Sequence, residues 1–256
     1  MRIKKTIAAA LGATLVLSAI SAMADFVNAG FEDGTFNGWT LNGGTWSAPT
    51  TGPGQTFTFL GDQGKSGIVG PGYDPYSGGV LPTVYPGLGN YSARVNNYDP
   101  NYHFSTLSQS AVWNSANIYF GWAAVLLEPS NLHPENAAPF FRVILTDTTK
   151  GTTLYDQQYN VYNYPGWHNG ITVSGETWKY SDWQIVNLNT SAVIGDTLKL
   201  EVWGADCGWG GHGGYVYVDG FGSTAPPITT PDGGTTAALL GIGLAGLGWL
   251  RRKLVS

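Results

Sequence analysis

One cysteine, Cys207, in 256 residues excludes an intramolecular disulfide, so a domain of this length has to be held by its core, with or without a metal. Charge is sparse, with 12 Lys and Arg and 17 Asp and Glu in the whole chain. Basic side chains are scarcer still in the middle. Residues 25–236 hold six of them (Lys65, Arg94, Arg142, Lys150, Lys179, Lys199) against all 17 acids, a formal balance of −11. Too few cations remain to neutralise a phosphate backbone, which argues against nucleic-acid binding. Between Asp25 and Gly222 no long segment has helical periodicity. A domain of about 200 residues nevertheless buries enough apolar surface to stand alone.

What the chain does have begins at its ends. Arg2, Lys4 and Lys5 precede an apolar run from Ile7 to Ile20, and Ala22-Met23-Ala24 is a small-x-small cleavage site, with Ala22 and Ala24 as its small residues. This is the pattern of a secretory signal peptide over residues 1–24. At the other end, Thr230-Pro231-Asp232-Gly233-Gly234 leads into an apolar run from Ala237 to Leu250, closed by Arg251-Arg252-Lys253. The run is 14 residues long, short of the about 20 that a stable spanning helix needs. Its four glycines each cost roughly 1 kcal/mol of helix propensity relative to Ala. It reads as a marginal, transient anchor whose basic end stays cytoplasmic and leaves the bulk of the chain outside.

The order of polar motif, apolar run and basic stop resembles the C-terminal sorting signals of the PEP-CTERM class, in particular its VPDSG-like branch, with Pro231, Asp232, Gly233 and Gly234 in the motif position and Thr230 where that branch usually has Val. The resemblance implies export, processing by an exosortase-type membrane enzyme, a place at the envelope surface or outside the cell, and an association with exopolysaccharide. The chain then divides into a signal peptide (1–24), a domain (25–224), a linker (225–230) opened by Pro226-Pro227, and a sorting segment (231–256) with its apolar membrane stretch at 237–250.

In the domain, short apolar runs rich in β-formers alternate with Gly, Pro, Asn and Asp. Strands are expected at 55–60, 91–96, 104–112, 117–127, 140–147, 152–162, 183–189, 197–204 and 214–220, the pattern of a sandwich or barrel. In the run 197–204, Leu198, Leu200 and Val202 face one way and Lys199, Glu201 and Trp203 the other. The run 117–127 is apolar on both faces, as for a central strand. Two long stretches, 61–90 and 163–181, read as irregular loops, and loops of that length are usually functional or mobile.

Asn28-Ala29-Gly30-Phe31-Glu32-Asp33-Gly34, followed by Gly38-Trp39, resembles the opening of galactose-binding-like jelly-roll modules, and Tyr215-Val216-Tyr217-Val218-Asp219-Gly220-Phe221 resembles their closing strand. The resemblance implies an all-β fold, a jelly-roll β-sandwich of two antiparallel sheets, here flanked by a signal helix and a short C-terminal apolar helix. It also implies a structural calcium, with Glu32 and Asp219 as ligands helped by nearby carbonyls. Calcium takes six to eight hard oxygen ligands.

Catalytic signatures are weak. No Gly-x-Ser-x-Gly occurs in the domain, and His103, His133, His168 and His212 are scattered. Glu128, Glu135, Glu176 and Glu201 are available for glycosidase chemistry, but their spacing does not pair them. Cys207 and His212, in a glycine-rich run, supply two of the four ligands usual for zinc, so a buried thiol beside a hydrogen-bonded histidine is the plainer expectation.

Nine of the ten tryptophans lie between Trp39 and Trp209. Trp39, Trp113, Trp122 and Trp183 are expected in the core. Aromatic faces also stack on sugars, and the binding candidates are Trp203 on a sheet face, Trp209, and a loop platform of Tyr162, Tyr164, Trp167 and His168. The expected function is that of an exported, non-enzymatic, glycan-interacting surface protein. The alternatives are a structural or adhesive envelope protein without a defined ligand and a divergent glycoside hydrolase.

Overall fold

The computed structural model describes residues 26–49, 54–129 and 133–227. The signal peptide, with Ala22 and Ala24, and the sorting segment, with the two expected terminal helices, lie outside the described residues. Among the described residues no helix is long and apolar enough to cross a membrane.

The described residues form two antiparallel sheets packed face to face. The first holds β2 (Thr56–Phe59), β1 (Thr40–Ser47), β5 (His103–Val112), β12 (Thr197–Ala205), β7 (Phe140–Asp147) and β8 (Thr152–Asn160), in that order. The second runs β3 (Gly67–Val69), β4 (Ser92–Val95), β13 (Gly214–Gly222), β6 (Asn117–Leu127), β10 (Glu176–Ser181) and β9 (Trp167–Val173). A further strand, β11 (Gln184–Asn189), continues along β6 beyond the end of β10. The chain crosses between the sheets at β2–β3, β4–β5, β5–β6, β6–β7, β8–β9, β11–β12 and β12–β13, which gives the jelly-roll β-sandwich.

Alternation explains which side chains meet. Leu198, Leu200 and Val202 of β12 are fully buried and meet Val216 and Val218 of β13, with Phe31, Trp39, Trp113, Phe120, Trp122 and Phe221 filling the rest of the space between the sheets. Burying one such side chain is worth about 1.5–3 kcal/mol, and this layer is the main support of the fold. β6 is buried on both faces: Phe120, Trp122 and Ala124 point between the sheets, while Ala123, Val125 and Leu127 point outward. The outward face is covered by the segment 70–88, whose Leu81 and Tyr76 pack on Tyr215, Tyr217, Trp178 and Tyr180.

The stretch 163–181, expected as a loop, is instead largely the β9–β10 hairpin, turning at Ser174 and Gly175, both with positive φ. Ser-Gly is a turn dipeptide. The aromatic and glycine content upstream obscures it. Strands β1 and β3 were likewise not expected. The stretch 61–90 contains β3 and is otherwise irregular.

Candidate functional site

The outer face of the second sheet carries a groove with a cavity of about 460 Å³, lined by Asp74, Pro75, Tyr76, Arg94, Tyr98, Ile171, Tyr215 and Tyr217. Its floor follows from strand alternation. Val216 and Val218 of β13 enter the core, so Tyr215 and Tyr217 must face outward. Arg94 of β4 pairs with Tyr217 and so lies on the same face.

The wall is the segment around Asp74. Its carboxylate is fully buried and accepts hydrogen bonds from Tyr215 Oη at 2.5 Å and Tyr217 Oη at 2.9 Å through Oδ2, and from Ser77 N at 2.8 Å through Oδ1. Charge-assisted bonds of this kind are the strong ones. Burial, then the charge of Asp74, raises the pKa of both tyrosines well above the phenol range, so they remain donors and hold the wall to the floor. Tyr76 O in turn accepts from Ile171 N at 2.9 Å, fixing the wall to β9. The Tyr76 ring lies between Trp178, at 4.3 Å, and Tyr98, at 5.5 Å.

Two groups face the opening. Tyr98 is 53% exposed. Arg94 donates through Nε to Asn96 O at 3.1 Å and lies 5.8 Å over the Tyr215 ring, while its Nη1 and Nη2 have no hydrogen-bond partner among the described residues. A planar donor fork with unused N–H groups beside aromatic walls can bind a ligand rich in hydroxyl or carboxylate oxygens.

The sequence candidates are dispersed. Trp167 and Tyr164 pack in contact at 5.3 Å, but both turn inward against the core near Trp122 and Tyr159, and Trp167 Nε1 donates to Asn160 O at 3.0 Å. His168, one residue on, faces the opposite side, exposed, with Asp182 at 2.9 Å and the Tyr180 ring at 5.2 Å. Trp203 does point away from the aliphatic side of β12. It stacks on Phe104 at 5.3 Å and meets Phe57 and Phe59 of β2 edge-on. Trp209 donates to Ala48 O at 3.1 Å and lies 4.9 Å from the His133 ring. Of the expected core tryptophans, Trp39, Trp113 and Trp122 are buried; Trp183 is half-buried, donating to Pro82 O at 2.9 Å.

Glu32 and Asp219 converge. An added Cβ on Gly30 would lie 3.6 Å from both Asp219 Oδ1 and Glu32 Cγ. Glu32 is exposed and accepts from Asn90 N at 2.9 Å and Tyr91 N at 3.1 Å. Asp219 is fully buried; Oδ2 accepts from Tyr85 N at 3.3 Å, while Oδ1 is buried with no hydrogen-bond partner among the described residues. Burial first, and the Glu32 charge in addition, push its carboxyl up to about 8. An orphaned buried carboxylate oxygen beside a second carboxylate fits a hard cation.

Residues 231–254 match the VPDSG-CTERM motif, a C-terminal sorting signal. No curated protein matches the chain. Among solved structures, TmCBM61 in complex with β-1,4-galactotriose is similar over 77% of this chain and 96% of its own, at 14% identity and a TM-score of 0.41. CBM28, a carbohydrate-binding module specific for non-crystalline cellulose, covers 76% and 91% at 16% identity and a TM-score of 0.34. The enzymatically active domain of bacteriophage CBA120 tailspike protein 4 covers 77% of this chain and 20% of its own, at 11% identity and a TM-score of 0.34.

Proposed function

We propose that the domain is an exported, non-enzymatic glycan-binding module that works at the envelope surface and binds saccharide in the groove over Tyr215 and Tyr217. The observation that supports this reading is the unused Arg94 fork set among Tyr76, Tyr98, Tyr215 and Tyr217 in a cavity of about 460 Å³. A sugar ring stacks its C–H face on the exposed Tyr98 while Arg94 donates to its oxygens. The walls are pre-ordered by Asp74, so little side-chain freedom is lost on binding. Exopolysaccharide is the ligand class in keeping with the sorting motif, and an exosortase-type enzyme the processing partner.

Glu32 and Asp219 would hold a structural Ca²⁺, which supplies the positive charge that the orphaned Oδ1 of Asp219 calls for. The ion would tie the opening turn to the closing strand and take no part in saccharide contact.

The test is a glycan-array and polysaccharide pull-down screen with the full chain, followed by titration of the best ligand. Arg94→Ala and Tyr98→Ala should each weaken binding at least about tenfold, the loss of 1–3 kcal/mol expected for a buried charged hydrogen bond or a stacked ring. Loss of binding on Trp203→Ala or Trp167→Ala, with Arg94→Ala silent, would move the site off the groove. A folded chain that binds nothing across a broad panel would leave the structural or adhesive reading.

A further inference from the structure

His133, Cys207 and His212 bring three ligand atoms together within 4.8 Å of one another. His212 Nδ1 lies 3.2 Å and His133 Nε2 3.6 Å from Cys207 Sγ. Ligand atoms bound to one tetrahedral zinc, at about 2.3 Å for sulfur and about 2.0–2.1 Å for nitrogen, are themselves about 3.5 Å apart. The two imidazoles are nearly perpendicular, 86° between planes with centroids 4.4 Å apart, an edge-to-face contact.

The surroundings orient these atoms. Glu176 Oε1 lies 2.8 Å from His212 Nε2, and a carboxylate there accepts the Nε2–H hydrogen bond, which keeps the proton on Nε2 and leaves the Nδ1 lone pair free towards Cys207. This carboxylate–histidine arrangement is the usual support of a metal-bound imidazole. The loop between Cys207 and His212 is closed by Cys207 N donating to His212 O at 2.8 Å, with Gly210 and Gly211 at φ 76° and 101°, values that side-chain-bearing residues rarely adopt. His133 comes from the segment ahead of β7, 74 residues away, and Trp209 covers its ring. Cys207 and His212 are buried.

We propose that His133, Cys207 and His212 form a zinc site, independent of the groove and of the Glu32–Asp219 pair, with Glu176 as its positioning residue. Binding replaces the thiol proton: the S–H bond, whose hydrogen points to Gly210 O at 3.0 Å, breaks, a sulfur–zinc bond forms, and one proton leaves to solvent. Three protein ligands leave one coordination position open, unlike the closed four-ligand structural sites. The ion joins the segment leading into β7 to the β12–β13 connection.

The experiment is metal analysis of the full chain purified with a non-thiol phosphine reductant and without chelator, together with titration of the metal-stripped chain with Co²⁺ and Zn²⁺. The expected result is one zinc per chain and a cobalt–thiolate charge-transfer band that zinc abolishes. Cys207→Ser should lose the band. His133→Ala and His212→Ala should each weaken zinc binding by at least about tenfold. Glu176→Gln should keep the band while weakening zinc binding about 10–100-fold. A reduced, folded wild-type chain that retains no zinc and gives no cobalt band overturns the proposal, and this readout does not depend on any variant folding. Unchanged zinc affinity in Cys207→Ser overturns it as well.

Discussion

Desolvation at Asp219 sets a pH dependence whose sign can be worked out. An unfolded aspartate titrates near the usual value of about 3.9, whereas the folded one is held at about 8 by burial and by Glu32. Between those limits the folded chain keeps a proton that the unfolded chain has released, so the unfolded state binds fewer protons and stability falls as pH rises. In chelator, stability should therefore decline from about pH 4 to about pH 8, by up to about 1.4 kcal/mol per unit, and level off above. A bound Ca²⁺ favours the ionised carboxylate, so added calcium should stabilise more at pH 8 than at pH 5. Asp219→Asn removes the titration and much of the ligand strength. Its melting temperature in chelator should exceed that of the parent chain at pH 8, with little response to calcium. Denaturation curves across pH, with calcium and with chelator, check both parts. An Asn variant that still responds fully to calcium would place the ion elsewhere.

At the scale of elements, the β9–β10 hairpin closes one edge of the second sheet, and β9 is an edge strand with most of its residues exposed. Gly175 sits at φ 88° with open space around it, so Gly175→Ala strains the backbone without a clash and should cost about 1 kcal/mol or slightly more. Hydrogen exchange should quicken at β9 amides and stay unchanged along β6 and β13, because edge elements open locally below the global free energy. Uniform exchange changes in all three strands would show that the hairpin opens only with the whole domain. The same hairpin shows where the sequence was legible. The runs at 117–127 and 140–147 coincide with β6 and β7, because long apolar patterns between turn residues have few other solutions. β1 was missed because Gly43-Gly44 reads as a turn. In the fold these residues lie against the carbonyls of Phe104 and Thr58, where a Cβ would come within 2.6 and 1.9 Å. For the candidate site, the outward pair Tyr215 and Tyr217 was readable from alternation. The contribution of Arg94, Tyr98 and Asp74 was not, because it depends on the 70–88 segment folding over the sheet. His133 was unreadable as a partner of Cys207 for the same reason: 74 residues separate them, and no local pattern encodes that contact.

For the molecule as a whole, the end of the described residues is tied to the domain. Tyr85 Oη donates to Pro227 O at 3.2 Å, and the same residue's N–H donates to Asp219, so Pro227 is held by a residue that also contacts the Glu32–Asp219 pair. Tyr85 does not line the groove of Arg94 and Tyr98. The apolar run 237–250, as a helix, would span about 21 Å at 1.5 Å per residue, against a hydrocarbon core of about 30 Å. It suits a short residence at the membrane that ends by cleavage. Replacing Pro231, Asp232, Gly233 and Gly234 with Ala should therefore leave a full-length, membrane-associated species in the parent organism, while the unaltered chain loses its C-terminal mass and leaves the membrane fraction. Cell fractionation with intact-mass measurement separates the two outcomes. A variant that matures and is released as the unaltered chain is would mean that the motif does not direct processing, and that release depends on the length of the apolar run alone.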